Sequence, residues 1–442
     1  MQQRNSLNDL IREIDLFSAT MLVVANMIGT GIFTTSGFIM KELQNPWAML
    51  LCWFIGGIFA LCGALCYGEL GAMFPKAGGE YVFLRESFGS PIAFLSGWIS
   101  LIVGFSAPIA ASAIAFSTYF FCLIHVPPSW STVTILSILV ILIFSSVHYH
   151  SLFLGKKVQN ILTVFKISLI VIFVIMGLLI GNGSLSHFSF SFDLPLQERF
   201  AISLIFVFFA YSGWNAASYI GGEIKNPKRN IPLSLFIGTI LVMCLYLFLN
   251  ITYTYALSVE KMSGMLEVGT KAAEALFGKG IARYFSGAIA ITILSSLSAM
   301  IMTGPRVYYA MAKDGVFFEL FGKINSSHKT PAYSIFLQTG IAIIMVITAS
   351  FDKLLLYIGF TLSLFAMLTV LGMMVLRFKK LSIERSYKTV GYPVTPILFI
   401  IGNIWIICFS IIKRPVSSLF GLGTIALGLF IYFYFTKWRK NT

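Results

Sequence analysis

The sequence predicts an all-α integral membrane protein with twelve transmembrane helices, two of them broken near their middles. Of its 442 residues, 57% are hydrophobic and 11% are charged, whereas a soluble domain carries about a quarter charged residues. Apolar runs of about 20 residues, each sufficient for one crossing, recur along the chain. The predicted spans are residues 16–40, 46–73, 90–122, 131–148, 158–180, 200–222, 232–256, 283–312, 333–350, 354–376, 393–412 and 417–436.

The two breaks are predicted from helix-weakening residues at the centres of spans 1 and 6. Gly29-Thr30-Gly31 lies inside the first, and Tyr211-Ser212-Gly213 lies inside the sixth. A backbone break is tolerated in hydrocarbon only beside protein or a watery cavity, because every N–H and C=O needs a partner. Paired breaks in two halves are typical of a transporter's binding site. We therefore expect a first five-helix inverted repeat at 16–180, a second at 200–378, and two further helices at 393–436.

The placement of charge predicts that both termini, including residues 1–15, lie in the cytoplasm. The net charge is +14, and most of the 31 Lys and Arg residues fall in the segments predicted to be cytoplasmic, which is the positive-inside pattern. Contact with anionic lipid headgroups follows from that placement, and no nucleic-acid partner is predicted. The six cysteines lie in or beside spans without the spacing of a zinc site, so no metal or cofactor is expected.

The break in span 1 suits a zwitterion. The half-helix before Gly29 ends in unsatisfied carbonyls, and the half after it begins with free N–H groups. These ends carry about half a charge each, of opposite sign, which matches the ammonium and carboxylate of an α-amino acid. Carbonyls near the breaks would face the ammonium, and the Thr30 hydroxyl would meet the carboxylate. The predicted substrate-binding residues are Met27, Ile28, Gly29, Thr30, Gly31, Phe209, Ala210, Ser212 and Tyr246.

A single lysine lies deep in predicted span 5. Lys156 and Lys157 mark the cytoplasmic edge, and Lys166 follows nine residues later, about 13 Å deeper in a helix. A cation at that depth costs about 3 kcal/mol or more, so it needs a partner or loses its proton. A lysine snorkelling to the interface is the alternative, but the depth of Lys166 disfavours it.

Five motifs, in order along the chain, carry a family resemblance. Gly29–Phe33 resembles the Gly-Ser-Gly-Ile-Phe motif of the amino acid–polyamine–organocation (APC) superfamily. The segments Phe209–Asn215 and Gly222–Pro227 resemble the sixth span of its L-type (LAT) branch, Glu69–Tyr81 resembles the loop after span 2, and Gly304–Ala312 resembles the end of span 8. The chain is thus similar to LAT-like transporters, including bacterial serine–threonine or alanine–serine–cysteine exchangers. The resemblance implies a LeuT-type fold with a 5+5 inverted repeat and substrate contacts at positions 27–31 and 209–212.

The resemblance also implies a role for the buried lysine. L-type and related transporters carry a lysine here, where sodium-coupled members of the fold bind an ion. The ammonium of Lys166 would join span 5 to carbonyls of span 1 near Gly29 and to hydroxyls of span 8. The candidate hydroxyls are those of Ser295, Ser296 and Ser298.

The favoured function is sodium-independent exchange of small neutral amino acids. No Asp or Glu lies near a predicted span centre, and the histidines fall in or beside loops, so neither a carboxylate proton relay nor an acidic sodium site is expected. Ser212 narrows the space where many L-type relatives have Gly, which favours small side chains. Proton symport with Lys166 as the proton site, and an amino-acid sensor without transport, remain alternatives. A nucleophile with its base, or metal ligands at depth, would indicate an enzyme, and the sequence offers neither.

A partner subunit is not expected. Animal L-type transporters pair with a single-span glycoprotein through a cysteine between spans 3 and 4. Cys122 is close to that place but falls inside predicted span 3, so we predict that the chain works without a heavy subunit.

Overall fold

The computed structural model describes residues 10–124, 126–127, 129–188, 197–325, 327–348, 351–380, 382–413 and 415–438. Within these residues the regular secondary structure is helical, apart from two isolated bridges that join Ile14 to Ile224 and Ala77 to Ile220. Nine of the described helical segments are long and apolar enough to cross a bilayer. A tenth crossing is a bent pair of helices, so the protein is an integral membrane protein with many crossings.

The bent pair is predicted span 1. Its halves, Leu16–Met27 and Gly31–Leu43, meet at an angle of 41°. The nine long segments correspond to predicted spans 2, 3, 4, 5, 7, 8, 10, 11 and 12: Pro46–Met73, Ser90–Phe121, Trp130–His150, Leu152–Ile180, Pro227–Ala256, Lys279–Lys313, Thr361–Lys379, Val394–Lys413 and Ser418–Phe435. Helical structure extends beyond two of these windows, over Phe351–Lys379 and Pro415–Trp438.

For two predicted spans, the helices within the described residues are shorter than a full crossing. Span 6 consists of Gln197–Tyr211 and Ala216–Tyr219, and span 9 is the 17-residue helix Ala332–Thr348. Because a helix needs about 20 residues to cross the hydrocarbon core, the total of twelve crossings stays a prediction. The all-helical membrane architecture itself is confirmed for the described residues.

Span 3 and the connections contain the remaining helices. Span 3 changes from Ser90–Ile99 through a π-helical stretch, Ser100–Ser106, to Ala107–Leu123. Such π-helical turns are frequent at functional sites. Span 8 divides into Lys279–Thr303 and Pro305–Lys313. The connecting helices are Glu80–Phe88, Leu185–Phe188, Val259–Met262, Val268–Phe277 and Glu319–Gly322.

Local sequence explains where the helices begin. The Asn45 side chain accepts hydrogen bonds from the N–H groups of Trp47, at 2.9 Å, and Ala48, at 3.1 Å. Pro46 fills the first helical position, where no N–H is needed. Ser129 and Thr132 form a reciprocal capping box at the start of span 4. The helix starts therefore follow from capping residues visible in the sequence.

The broken spans lie inside the bundle. Span 1 packs against spans 5, 7 and 8, span 2 packs against span 7, and span 3 packs against span 8. Large apolar side chains cover the outside, such as Leu179, 78% exposed, and Phe430, 72% exposed, as expected for a surface that faces lipid. The breaks are therefore shielded from lipid, as an interrupted backbone requires.

His148 differs from the sequence-based expectation of a loop or interface position. Span 4 continues to His150, so His148 lies in its last turn and is 3% exposed. Its Nε2 lies 2.9 Å from the Ser298 hydroxyl of span 8. The side chain is buried because its face of span 4 packs against Gly155 of span 5 and Ser298 of span 8.

Candidate substrate site

A cavity of about 150 Å³ lies between the two breaks. A buried cavity of that size holds a molecule as large as benzene, so a small amino acid has room. Most of the predicted substrate-binding residues line it: Met27, Gly29, Thr30, Gly31, Phe209, Ala210 and Ser212.

The break in span 1 presents free amide groups. The first half ends at Met27, and the N–H of Ile28 still donates to the carbonyl of Val24 at 2.9 Å. Beyond the break, the N–H groups of Thr30 and Gly31 have no acceptor among the described residues. Free N–H groups at a helix start attract anions, because they carry the positive end of the helix dipole. This end of the break can therefore hold a carboxylate.

The break in span 6 is fixed by its own backbone. The first half ends at Tyr211, and the N–H and hydroxyl of Ser212 both donate to the carbonyl of Phe209, at 3.1 and 2.7 Å. Gly213 has φ +95°, a conformation that side-chain-bearing residues avoid. Trp214 and Asn215 complete the turn before Ala216–Tyr219.

Glycines allow the two breaks to touch. A Cβ added at Gly213 would lie 2.9 Å from the carbonyl carbon of Asn26, and one at Gly31 would lie 2.8 Å from the Cα of Ala210. Both distances are too short for a real side chain. Gly29 differs, because a Cβ there would meet nothing nearer than the Ser296 hydroxyl, at 3.8 Å. Packing therefore requires glycine at 31 and 213, while Gly29 leaves the backbone open to the cavity.

Tyr246 joins the breaks from behind. Its hydroxyl lies 2.7 Å from the carbonyl oxygen of Met27 and 2.9 Å from that of Ala210. The side chain is fully buried, and it is absent from the cavity wall among the described residues. The structure therefore gives Tyr246 a linking position behind the cavity, and its direct contact with substrate stays a prediction.

Ile28 also differs from its predicted position. Its carbonyl accepts hydrogen bonds from the Lys166 ammonium and, at 2.7 Å, from the Ser296 hydroxyl. Both lone pairs are thus occupied, and the residue is fully buried outside the cavity wall. The carbonyl is turned towards spans 5 and 8, so it does not face the site where a substrate ammonium would lie.

Lys166 is completely buried beside the break of span 1. Its Nζ donates to the carbonyls of Ala25, at 3.3 Å, and Ile28, and to the Ser296 hydroxyl at 2.8 Å. These three acceptors match the three N–H donors of an ammonium. No carboxylate forms an ion pair with it in the described part of the chain. The side chain therefore joins spans 1, 5 and 8 through neutral groups.

The other two candidate serines face elsewhere. The Ser295 hydroxyl lies 3.1 Å from that of Thr163, and the Ser298 hydroxyl bonds His148. Successive residues of a helix point about 100° apart, so three neighbouring serines cannot all reach one ammonium. Only Ser296 of the three contacts Lys166 in the structure.

The cavity wall also contains residues that the sequence analysis did not single out for a role. The π-helical stretch of span 3 contributes Ser100, Gly104 and Phe105, and the loop helix Glu80–Phe88 contributes Glu80. Glu80 belongs to a loop motif and not to a span centre, so the local sequence does not indicate that it reaches the site. The loop folds back against span 6, where the Asn215 amide donates to Glu80.

Comparisons with known proteins identify the family. Residues 14–434 match the family described as amino acid permease. The chain belongs to the amino acid permease family. The b(0,+)-type amino acid transporter 1 of Homo sapiens is 32% identical to this permease, and the match covers 99% of this chain and 90% of the relative. The large neutral amino acids transporter small subunit 2 of Mus musculus is 29% identical, with coverage of 98% and 82%. The serine/threonine exchanger SteT of Bacillus subtilis (strain 168) is 29% identical, with coverage of 98% of both chains.

These matches confirm the predicted APC superfamily resemblance. They make the permease a membrane transporter of the amino acid permease family and not an enzyme. The all-helical structure agrees with the LeuT-type fold that the resemblance implies.

Ion pairs join several segments at one end of the permease. The buried Arg306 donates to both carboxylate oxygens of Glu223, at 2.7 and 3.0 Å, and Arg377 pairs with the buried Glu69. At the same end the N–H of Ile14 donates to the carbonyl of Glu223 at 2.9 Å. We call this end of the bundle, which holds these pairs and the N-terminal segment, the basic end. Its contacts tie the segment after span 6 to span 8 and to the chain before span 1.

Proposed function

We propose that this permease is a sodium-independent, obligatory exchanger of small neutral L-amino acids that works by alternating access. In this proposal it lies in the plasma (inner) membrane, and the basic end and both termini face the cytoplasm. Two relatives are named as amino acid transporters, one of them for large neutral amino acids, which supports an amino-acid substrate. The relative named a serine/threonine exchanger supports small side chains and exchange. The basic composition of the predicted cytoplasmic segments supports the orientation.

The substrate would bind through its α-groups. The N–H groups of Thr30 and Gly31 would hold the carboxylate, and carbonyls near Ser212 at the end of the first half of span 6 would face the ammonium. A zwitterion fits because the two breaks offer opposite partial charges on one cavity. The cavity volume of about 150 Å³ supports a small side chain.

The position of Lys166 carries the proposal of exchange. Its ammonium bridges Ala25 and Ile28 of span 1 to Ser296 of span 8. The family resemblance implies that sodium-coupled members of the fold bind an ion at this place. A fixed cation would remove the need for a driving ion and leave the amino-acid gradients to drive transport.

Counterflow in proteoliposomes tests exchange directly. Vesicles loaded with unlabelled serine should take up labelled serine at least tenfold faster than empty vesicles, with no difference between sodium and choline buffers. Equal uptake by empty vesicles under an inward proton gradient would show that exchange is wrong.

Proton symport is the second candidate, since Lys166 has no carboxylate partner among the described residues. In that case the same vesicles would acidify during uptake, and a pH dye trapped inside would report the change. A sensor would bind serine without flux, and therefore would bind labelled serine in detergent while showing neither counterflow nor acidification.

We also propose that the chain needs no heavy subunit. Cys122 belongs to the helix Ala107–Leu123 instead of a loop between spans 3 and 4. Amino acids and membrane lipids would then be its only partners. Counterflow by the purified chain alone would support this, and a strict requirement for a second protein would contradict it.

A further inference from the structure

Glu80 lies where a loop folds back into the bundle at the basic end. Gly78 and Gly79 turn the chain with φ values of +119° and +53°, and Glu80 begins the helix that follows. The residue is 4% exposed, and it lines the cavity that the broken spans enclose. A carboxyl group therefore borders the candidate substrate site.

The hydrogen bonds of Glu80 fit a neutral acid. The Tyr67 hydroxyl of span 2 donates to Oε1 at 2.7 Å, and the Asn215 amide of span 6 donates to the same oxygen at 2.8 Å. The carbonyl oxygen of a protonated carboxyl has two lone pairs and can accept both bonds. Oε2 can then carry the proton beside the Tyr219 phenol, which also lies within hydrogen-bond reach of the carboxyl.

No cation neutralises this carboxyl in the described part of the chain. The other titratable groups that act on it are the phenols of Tyr67 and Tyr219. On its own helix and on the elements packed against it, ion pairs hold most of the charged side chains: Arg85 with Asp314, Glu86 with Lys380, Glu69 with Arg377, and Arg306 with Glu223. Lys313, which lies over the Tyr309 ring, and Lys379 are exposed to solvent. A buried carboxyl without a counter-charge is costly in its ionised form.

We propose that Glu80 is a proton-binding site that holds the basic end of the cavity closed by joining span 2 to the unwound turn of span 6. In the closed state Oε2 carries the proton and Oε1 accepts from Tyr67 and Asn215. When the basic end opens, water enters, the O–H bond breaks, and the proton passes to water on that side. Closing takes a proton back from the same side, so no net proton crosses the membrane.

The direction of the pH effect follows from linkage. Burial raises the pKa of Glu80 from 4.5 to about 7, although hydrogen bonds from Tyr67, Asn215 and Tyr219 oppose the rise. The open, hydrated state should have the ordinary value. The closed state therefore binds the proton more tightly and is stabilised as the pH falls from about 7 towards 4.5. Opening therefore slows as the pH falls over that range. Above pH 7, Glu80 is ionised in both states and this stabilisation of the closed state is lost.

The test measures counterflow while only the pH on the basic side is varied. This inference rests on the proposed exchange function. For the wild type, exchange should fall by about tenfold or more between pH 8 and pH 5.5. Glu80→Gln keeps the neutral, hydrogen-bonded form. At every pH it should therefore exchange at the rate that the wild type shows at low pH. A flat wild-type profile, or a Glu80→Gln profile that follows the wild type, would overturn the proposal.

Two further measurements separate this role from a structural one. Glu86→Gln, on the same helix, should keep the wild-type pH profile, because its carboxyl is paired with Lys380 at the surface. The infrared spectrum of purified wild type at pH 6 should contain a protonated-carboxyl band that Glu80→Gln lacks, even where the variant transports poorly. If the band is unchanged in Glu80→Gln, the proposal is wrong. Absence of counterflow in all proteins would instead refute exchange, because the infrared result does not depend on transport.

Discussion

The two breaks differ in what holds them open. The span 1 break lies between helices of 12 and 13 residues, and side chains from other spans grip it: Lys166 and Ser296 hold the carbonyl of Ile28. The span 6 break is followed by a helix of only four residues. Its turn depends on the left-handed conformation of Gly213 and on the Ser212 side chain bonding its own helix end.

The span 1 break is therefore a clamped break, held by side chains of spans 5 and 8, whereas the span 6 break is held largely by the conformation of its own turn. Span 1 is tied to spans 5 and 8 through one cation, so its position should follow those helices. No buried cation holds span 6 in the described part of the chain: the Tyr246 hydroxyl contacts the carbonyl of Ala210 and the Asn215 amide donates to Glu80, and the second half of span 6 has only four residues. We expect span 6 to change shape in the cycle and span 1 to move as a unit. Substitutions that remove one restraint at a time can test this.

Replacing the clamp should have the largest effect. Lys166→Met keeps the side-chain length but removes three hydrogen bonds to span 1 and span 8, so counterflow should fall by about a hundredfold or more. Substrate binding measured in detergent should fall much less, because the cavity wall excludes Lys166.

The control for this variant is Lys157→Met, on the exposed surface of the same helix, which should transport like the wild type. Full counterflow by Lys166→Met would show that the clamp is dispensable.

The second-largest effect is expected from replacing the glycine that fixes the turn of span 6. Gly213→Ala combines a strained φ with a Cβ 2.9 Å from the backbone of Asn26, and we expect a loss of about 3 kcal/mol in stability and about thirtyfold in counterflow. Thermal unfolding in detergent measures the first, and proteoliposomes measure the second.

Gly278→Ala provides the matched control for the strain. Gly278 also has a positive φ, of +86°, but a Cβ there meets nothing within 4 Å. It should lose only the strain energy, about 1 kcal/mol. Equal losses in the two variants would mean that contact between the breaks contributes nothing.

The sequence predicted the breaks and Lys166 because each stands out within an apolar run. Three consecutive small or polar residues such as Gly29-Thr30-Gly31 are unfavourable in a helix, and a lone cation at depth is costly. Both features depend on local composition alone. The spans and the bend followed from the same local information.

Directions and long-range pairings could not be predicted in this way. Whether the carbonyl of Ile28 faces the cavity or Lys166 depends on the exact rotation of two helices. The position of Glu80 depends on a loop meeting Asn215, more than a hundred residues away in sequence. Span 6 divides into two helices because a turn at 212–215 interrupts it, and the geometry of that turn depends on contacts with span 1 that the local sequence does not show.

Adding a methyl group to the cavity wall should have a moderate effect on transport. Gly29→Ala has space for its Cβ, with 3.8 Å to the nearest atom, so the fold should be kept. The methyl would stand between the substrate and the backbone, and we expect about a tenfold weaker apparent affinity for serine with a nearly unchanged thermal midpoint.

Gly340→Ala, in span 9, serves as the comparison because its Cβ also meets nothing within 4 Å. It should leave both affinity and stability unchanged. An unaltered affinity in Gly29→Ala would place the substrate elsewhere.

Removing the link between the breaks should have the smallest effect. Tyr246→Phe deletes the hydroxyl that contacts the carbonyls of Met27 and Ala210. The carbonyl of Met27 keeps the N–H of Gly29 as a donor, so the cost, about 1–3 kcal/mol, comes mainly from the carbonyl of Ala210. Because the phenol is outside the cavity wall, the expected result is a severalfold slower counterflow with little change in affinity. Tyr253→Phe is the matched control on the same helix, since the buried Tyr253 hydroxyl has no hydrogen-bond partner among the described residues, and its loss should leave stability unchanged or slightly raised. If Tyr246→Phe instead weakened affinity without slowing exchange, the hydroxyl would contact substrate directly, and the assignment of span 6 as the break that changes shape would lose its support.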